Sequence, residues 1–278
     1  MRLDSFRQLA KTNIELSWIV EELISPGGWT FLVGETGSGK SMLTIQLCDS
    51  LQEGKAFLGF PTKKHNCLYL QADSGLIEWK KQIQMLAAES AAWTAHQLER
   101  GFLDELAQRQ FLHQLVWGDY PEDHPAYKVL QGVPFNFIVF DCLHAITNSD
   151  LNMKVTMSQV LTAIDQIVTR KVTQEDGSTE IERVHFLLIH HPNAQVKRGA
   201  TAGSGHKGFS DACSTKLTLG GSLLVLEKSK VTGKKEILLE RNDIGAWSRA
   251  DEVPSEYNYP QVQSKRHKTN DLITRILG

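Results

Sequence analysis

A glycine-rich stretch, GETGSGKS at residues 34–41, separates a short apolar run from a segment with helical spacing of apolar residues. It fits the pattern G-x-x-x-x-G-K-[S/T], in which backbone amides and the following helix N-terminus form a cradle for phosphate. The run TFLVG (30–34) has the character of a strand, and residues 40–51 have that of a helix. The stretch therefore predicts the strand–loop–helix unit of an α/β phosphate-binding fold.

The residues of this loop have separate predicted roles. Lys40 is expected to reach the β- and γ-phosphates of ATP, and the Ser41 hydroxyl to bind Mg²⁺. An aspartate at the end of a buried strand usually joins the metal's water shell, and NFIVFD (136–141) supplies Asp141. The alternatives are a glycine turn with a solvated lysine and an aspartate that caps a turn. The predicted nucleotide-binding residues are Gly34, Glu35, Thr36, Gly37, Ser38, Gly39, Lys40, Ser41 and Met42.

Composition limits the kinds of partner. The chain has 278 residues and a net charge of -2, so a nucleic-acid site must be a local basic patch. No apolar run reaches about 18 residues, and the N-terminus lacks the apolar stretch of a signal peptide. We therefore expect a cytoplasmic protein with no membrane contact. The cysteines lack metal-type spacing, which favours a reduced, intracellular protein; they are Cys48, Cys67, Cys142 and Cys213.

Apolar patterns place the strands and helices. Strand-like runs alternate with helical segments up to VHFLLIHH (184–191), and three strand-like runs then follow with little helix. This order predicts a mostly parallel sheet flanked by helices, with antiparallel C-terminal strands. Further expectations are helices at 2–24, 77–109 and 153–170, a solvated excursion at 173–183, and an edge strand or helix end at 111–117. The predicted divisions are an N-terminal helical segment (1–24), an ATPase domain (25–250) and a polar, basic tail (251–278).

The residue after Asp141 excludes some classes of nucleotide hydrolase. It is Cys142, whereas transport ATPases and AAA+ machines generally have a catalytic glutamate there. An N-K-x-D motif for guanine is also absent, which argues against a GTPase of the Ras type. A catalytic base must therefore come from another part of the chain.

The order of the motifs resembles that of the RecA-like hexameric helicases. A phosphate loop, a second strand ending in an acid, a strand ending in Asp141 and a strand ending in His-His follow each other along residues 10–245. The most similar groups are the plasmid-replication helicase RepA and, further away, the DnaB-related AAA P-loop ATPases. The resemblance implies a RecA-like core, ATP and Mg²⁺ as cofactors, a homo-oligomeric ring of hexamer type, and single-stranded DNA as partner.

The resemblance also implies two catalytic positions. Asp73, in CLYLQADSG, matches the family's water-activating carboxylate, which is usually glutamate and therefore one methylene longer. His191, with His190 as second choice, matches the position that contacts the γ-phosphate and relays its state. The alternatives are an aspartate that caps the following helix and two polar residues at a strand end.

Two further segments match by position. Residues 192–211 match the family's second DNA-binding loop and contribute Lys197, Arg198, His206 and Lys207; Phe209 is its lone aromatic residue. Residues 144–154 form a second, less basic candidate for a channel loop. Lys228 and Lys230 match basic residues that reach the neighbouring subunit's ATP, with Arg241 as an alternative. The alternative for residues 192–211 is a disordered surface loop. The alternative for Lys228 and Lys230 is a charged hairpin tip.

These features together predict an ATP-dependent, ring-forming DNA helicase or translocase that acts on single-stranded DNA in plasmid, phage or mobile-element replication. A RecA-fold ATPase that is not a motor, either recombinase-like or regulatory, is the first alternative. A small-molecule P-loop kinase is the second.

Overall fold

The computed structural model describes residues 17–26, 28–73, 75–86, 94–119, 134–150, 154–174, 176–191 and 204–250. Within these ranges the strands form one nine-stranded sheet and a separate two-stranded sheet. The strands are β1 (Trp29–Val33), β2 (Cys67–Gln71), β3 (Thr94–Gln97), β4 (Phe137–Asp141), β5 (Thr169–Thr173), β6 (Thr179–Arg183), β7 (His185–His190), β8 (Thr215–Gly220), β9 (Leu223–Ser229), β10 (Lys235–Arg241) and β11 (Trp247–Arg249). The order across the large sheet is β11-β10-β9-β8-β1-β7-β4-β2-β3.

Helices cover both faces of the large sheet. They are α1 (Lys40–Glu53), α2 (Leu76–Leu86), α3 (Leu106–Trp117), α4 (Leu143–Ile146), α5 (Lys154–Val168) and α6 (Ser204–Ala212), with a 3₁₀ turn at Phe102–Asp104. Alternate side chains of β1 enter opposite cores. Phe31 packs in the core that includes α3, α5 and α6, whereas Leu32 packs in the core that includes α1.

The six strands from β8 to β3 in the sheet order are paired in parallel. All residues of β1, β2 and β4 are buried, as expected for parallel strands with helices on both faces. The other end of the sheet is antiparallel, because β8, β9, β10 and β11 pair in succession as hairpins. The predicted fold class is therefore confirmed, and β11 is an additional strand that the sequence did not indicate.

The predicted helix at 77–109 is confirmed at 77–86 and 106–109 and is wrong in the described residues between them. The described part of this region holds α2, then β3, a 3₁₀ turn and the beginning of α3. β3 pairs in parallel with residues Leu68 to Gln71 of β2. Backbone hydrogen bonds to this strand therefore favour a strand at 94–97 over the helix that the local apolar spacing predicts. Residues 111–117 belong to α3, where Leu112, Leu115 and Val116 are buried on one face.

The predicted helix at 153–170 ends at Val168, and residues 173–183 are more ordered than the predicted excursion. β5 and β6 pair as an antiparallel hairpin closed by a turn at Gly177. Most side chains of the hairpin are exposed, which explains the polar sequence. Its backbone N–H and C=O groups are nevertheless hydrogen bonded between the two strands. The guanidinium of Arg170 lies 4.4 Å above the ring of Trp117 and ties the hairpin to α3.

The predicted N-terminal helix is wrong for its described part. Residues 19–24 form a tight turn, in which Val20 bridges to Ile24 and to Thr62. Leu23 and Ile24 are buried in the core beside α1, so this turn covers the protein's own sheet. Residues 1–16 and the predicted tail at 251–278 lie outside the described residues, and the proposed division into segments stays a prediction.

Candidate active site

The candidate site lies at the carboxyl edge of the parallel strands. The phosphate loop follows β1, Asp73 follows β2, Asp141 ends β4 and His191 follows β7. Because β1, β7, β4 and β2 are neighbours that run in one direction, their carboxyl ends meet at one edge. Residues separated by up to 157 positions in the sequence thus lie around one loop.

Lys40 is buried within the phosphate loop. Its Nζ donates hydrogen bonds to the carbonyl oxygens of Gly34 at 2.8 Å and Glu35 at 2.7 Å. Burial lowers the pKa of Lys40 to about 8, and the negative charge of Asp141 opposes this shift. Gly39 has φ 88, a left-handed conformation that lets the loop turn directly into α1. The loop is therefore held in shape around the lysine that is expected to contact phosphate.

Asp141 is a buried carboxylate with two hydroxyl donors. The Tyr69 hydroxyl donates to Asp141 Oδ2 at 2.6 Å, and the Ser41 hydroxyl also hydrogen bonds to this carboxylate. Burial raises the pKa of Asp141, while these two donors act in the opposite direction. A carboxylate beside a hydroxyl is the oxygen donor set that Mg²⁺ prefers. Ser41 and Asp141 thus fit the metal that a phosphate loop implies.

Asp73 lies at the mouth of the site, with 26% of its side chain exposed. Its Oδ1 accepts hydrogen bonds from His144 Nε2 at 3.0 Å and from Arg100 Nη2 at 3.4 Å. Its Oδ2 lies 3.6 Å from His191 Nε2. The carboxylate is therefore positioned by two histidines while it stays accessible to water.

The two histidines at the end of β7 have different environments. His191 Nδ1 lies 3.0 Å from Lys40 Nζ and 3.5 Å from Thr36 Oγ1. Burial lowers the pKa of His191, and the positive charge of Lys40 lowers it further. The imidazole is therefore neutral, and its Nδ1 accepts a hydrogen bond from the Lys40 ammonium. His190 instead stacks on Phe31 at a ring distance of 5.7 Å. Consecutive strand residues point to opposite faces, which brings His191 rather than His190 to the loop.

Sequence reasoning missed several residues of the site. His144 contacts Asp73, and its ring lies 5.3 Å from that of His191; Cys142 Sγ is 2.5 Å from His144 Nδ1. The available signal was the pair Cys142-x-His144 directly after Asp141. Arg100 carried no signal, since it reaches Asp73 only because β3 pairs beside β2.

The far end of the sheet also supports the phosphate loop. Trp247 Nε1, on β11, donates to the Gly39 carbonyl at 3.2 Å. The side-chain amide of Gln46, on α1, donates from Nε2 to the Trp247 carbonyl at 3.0 Å and accepts from the Trp247 N–H through Oε1 at 2.8 Å. Arg241 lies with its guanidinium 5.4 Å from the Trp247 ring. β11 therefore closes over the start of α1, a contact that its sequence position, more than 200 residues away, did not indicate.

The predicted DNA-binding residues are only partly within the description. Lys197 and Arg198 lie outside the described residues, and so do the side chains of His206 and Lys207. The prediction of one continuous loop over 192–211 is wrong at its end, because residues 204–212 form α6. Phe209 is 1% exposed and packs on the rings of Trp29 and Phe31, so it is not available to stack on a base.

The predicted intersubunit cations have different surroundings, and Lys228 lies at the end of α6. Lys228 Nζ donates to the carbonyl oxygens of Ser210 at 2.9 Å and Asp211 at 2.7 Å, which caps that helix C-terminus. Lys230 is exposed just after β9. Arg241 Nε donates to the Gly245 carbonyl at 3.2 Å. The role of these cations toward a neighbouring subunit stays a prediction.

Comparison with known proteins agrees with this architecture. The family model of the AAA domain matches residues 1–195, which is more than half of the chain. A search of curated proteins found no match. A solved structure of another protein's ATPase domain aligns with a TM-score of 0.51 at 8% identity and covers 81% of this chain and 85% of that chain. This likeness concerns the fold alone.

Two archaeal structures give lower scores. The KaiC-like protein PH0186 from Pyrococcus horikoshii OT3 aligns with a TM-score of 0.49 at 12% identity, covering 84% of this chain and 93% of that chain. The flagellar accessory protein FlaH from Methanocaldococcus jannaschii aligns with a TM-score of 0.44 at 15% identity, covering 81% of this chain and 89% of that chain.

No helix in the described part of the chain has the length and apolar character needed to cross a bilayer.

Proposed function

The chain belongs to the AAA-domain family as a RecA-like P-loop ATPase, and we propose that it is a ring-forming helicase or translocase on single-stranded DNA. One observation carries this proposal. His191 contacts both Lys40 of the phosphate loop and the Asp73 carboxylate, and it immediately precedes the basic segment with Lys197 and Arg198. A change at the γ-phosphate is thereby connected by one residue to the segment expected to contact DNA.

The chemistry assigned to this site is hydrolysis of ATP. Lys40 would hold the β- and γ-phosphates, and Ser41 and Asp141 would hold Mg²⁺, which would supply positive charge for the phosphate oxygens. Asp73 orients the attacking water and accepts its proton, an assignment supported by its accessible position opposite the loop. His144 keeps the Asp73 carboxylate in place through its 3.0 Å hydrogen bond.

The relay assigned to His191 follows from its contacts. In the nucleotide complex Lys40 donates to phosphate, so His191 is free to donate from a ring nitrogen to the γ-phosphate. Loss of that phosphate removes the contact and shifts the end of β7. Residues 192–203 follow directly, so the shift moves their cations relative to the backbone of a single strand.

Ring formation is supported by the family resemblance. An ATP between subunits would need a cation from the neighbour, and Lys228 and Lys230 are the proposed donors, with Arg241 as alternative. We propose replication of plasmids, phages or mobile elements as the setting, on the likeness of the motif order to the RepA-type helicases. The proposed homo-oligomer is a hexamer.

The test measures ATP hydrolysis with and without single-stranded DNA, on a sample whose mass is read in the same buffer. We expect a ring-sized assembly whose hydrolysis rises with DNA and is lost in Lys40→Ala. A monomer without stimulation would overturn the motor, and a stimulated ATPase that fails to displace a strand would favour the recombinase-like or regulatory alternative. Hydrolysis that depends on a small phosphate acceptor would indicate a kinase.

A matched pair of variants tests the DNA segment. The double variant Lys197→Ala/Arg198→Ala is expected to weaken DNA binding and reduce its salt dependence by about 0.7 in the logarithmic slope for each lost phosphate contact. The control is Lys63→Ala/Lys64→Ala, which removes two adjacent exposed cations before β2, at the opposite edge of the sheet. Equal losses in both variants would contradict a specific role for the segment.

A further inference from the structure

Four side chains with metal-binding atoms converge beside the phosphate loop. Asp73, Cys142, His144 and His191 each offer one ligand atom, and these atoms all lie within 4.8 Å of one another. They follow β2, β4 and β7, whose carboxyl ends meet at this edge of the sheet. The cluster combines a thiol, two imidazoles and a carboxylate, which differs from the oxygen donors Ser41 and Asp141.

Three pairs of donor atoms lie near the spacing that one tetrahedral ion requires. Zn²⁺ binds sulfur, nitrogen and oxygen at about 2.0–2.3 Å, and a tetrahedron then separates its donors by about 3.3–3.8 Å. His144 Nε2 lies 3.0 Å from Asp73 Oδ1, His191 Nε2 lies 3.6 Å from Asp73 Oδ2, and Cys142 Sγ lies 3.7 Å from His144 Nε2. Other donor pairs lie up to 4.8 Å apart, and Cys142 Sγ lies 2.5 Å from His144 Nδ1. The His144 ring must therefore turn before its Nε2 and the thiolate of Cys142 can share one ion.

We propose that Asp73, Cys142, His144 and His191 form a second cation site, selective for a thiophilic transition metal of the Zn²⁺ class. A thiolate and two imidazoles favour such an ion over Mg²⁺, which takes oxygen ligands. The alternative of a nucleophilic cysteine is disfavoured, because Cys142 is fully buried and a buried thiol keeps its proton unless a cation stabilises the thiolate. Metal binding displaces the thiol proton to solvent as the sulfur–metal bond forms.

Access and charge define when the ion binds. The His144 side chain is 39% exposed, so the ion enters from that side. Two cations oppose it: Arg100, 64% exposed and able to turn to solvent, and Lys40, which keeps its two carbonyl partners. Coordination through His191 Nε2 leaves a proton on Nδ1, which then no longer accepts from Lys40 Nζ at 3.0 Å. The lysine must shift from Nδ1, and Thr36 Oγ1 at 3.5 Å can accept the proton.

Occupancy of this site has a consequence that rests on the proposed function. The ion takes the carboxylate of Asp73 and the Nε2 of His191, the groups assigned to water activation and phosphate sensing. Metal-bound protein is therefore an inactive form of the ATPase, and Mg²⁺ does not replace the inhibiting ion because it lacks affinity for the thiolate.

Cobalt spectroscopy of the untagged full chain, freed of metal by a chelator, tests the site. We expect a single Co²⁺ to give the visible spectrum of a tetrahedral ion and a thiolate-to-cobalt band in the near ultraviolet. Cys142→Ala should remove the thiolate band. His144→Ala removes a ligand and should weaken Co²⁺ binding by ~10–100-fold or more, since losing a residue that only hydrogen bonds to a ligand already has a cost of that size. His144 is partly exposed, so its variant tests the site even where Cys142→Ala fails to fold.

The matched control is Cys213→Ala, which removes another buried, free cysteine and should keep the full cobalt spectrum. Absence of the thiolate band, or its persistence in Cys142→Ala, would overturn the site. With Mg²⁺ in excess, Zn²⁺ should lower ATP hydrolysis in the unaltered protein and much less in Cys142→Ala, each relative to its own metal-free rate. Protein that shows the cobalt band and never hydrolyses ATP would refute the proposed function and leave the metal site standing.

Discussion

The hydrogen bond between Tyr69 and Asp141 offers a sharp test of the site's electrostatics. Both residues are buried, and the hydroxyl donates to the carboxylate at 2.6 Å. Tyr69→Phe removes this donor without opening a cavity, because the ring is unchanged. The carboxylate then keeps the Ser41 hydroxyl but loses one of its two hydroxyl partners.

The expected cost follows from the charge on the acceptor. A hydrogen bond to a charged group contributes about 1.5–3 kcal/mol to the free energy of unfolding, against about 0.5–1.5 kcal/mol for a neutral pair. Burial already raises the pKa of Asp141, and loss of the donor raises it further. The folded variant therefore takes up a proton at higher pH than the unaltered protein. The difference in unfolding free energy between the unaltered protein and Tyr69→Phe is largest at a pH above the folded-state pKa of Asp141 in both proteins. It becomes smaller as pH falls through the higher pKa of Asp141 in the variant.

Urea unfolding at several pH values, without nucleotide or Mg²⁺, measures this difference. The matched control is Thr218→Val, which removes a 2.7 Å hydroxyl donor to Glu227, a carboxylate that keeps its ion pair with Lys216. Because the Glu227 side chain is 25% exposed and keeps its ion pair with Lys216, we expect the control to cost less than Tyr69→Phe near pH ~8 and to depend less on pH. A Tyr69→Phe cost that equals the control at every pH would refute the reasoning.

Two further substitutions test the catalytic groups and the loop. Asp73→Asn keeps the shape of the side chain and removes the base, so hydrolysis should fall by about 10²–10⁴-fold while ATP binding, measured by fluorescence of a nucleotide analogue, is retained; an unchanged rate would leave Asp73 only a structural role. Gly39→Ala should destabilise the protein and weaken ATP binding, because the residue has φ 88 and its Cβ would lie 2.9 Å from the Trp247 ring. Gly37→Ala is its control, with φ 79 and open space around the Cβ, so thermal unfolding should show a smaller loss, about 1 kcal/mol, and equal losses would contradict the role of Trp247.

Local sequence was sufficient for the features that depend on neighbouring residues. The phosphate loop was predictable because its glycines, lysine and serine act within eight positions, between an apolar strand and a helix. The buried strands β4 and β7 were also predictable, because a short continuous apolar run in an α/β protein is typical of a parallel strand buried on both faces. The three antiparallel strands followed from their turn residues. These predictions required no knowledge of which strands are neighbours.

The tertiary structure alone decided which of these segments meet. Strand β3 and its Arg100 contact the site only because the free edge of β2 offers backbone partners, a pairing that local helical spacing concealed. The alternation of strand faces placed His191 against Lys40 and sent His190 to Phe31. Cys142 and His144 joined Asp73 because β2 and β4 pair in parallel register, which aligns their carboxyl ends. Contacts between residues far apart in sequence depend on strand order, and a parallel sheet sets that order through packing that no short stretch encodes.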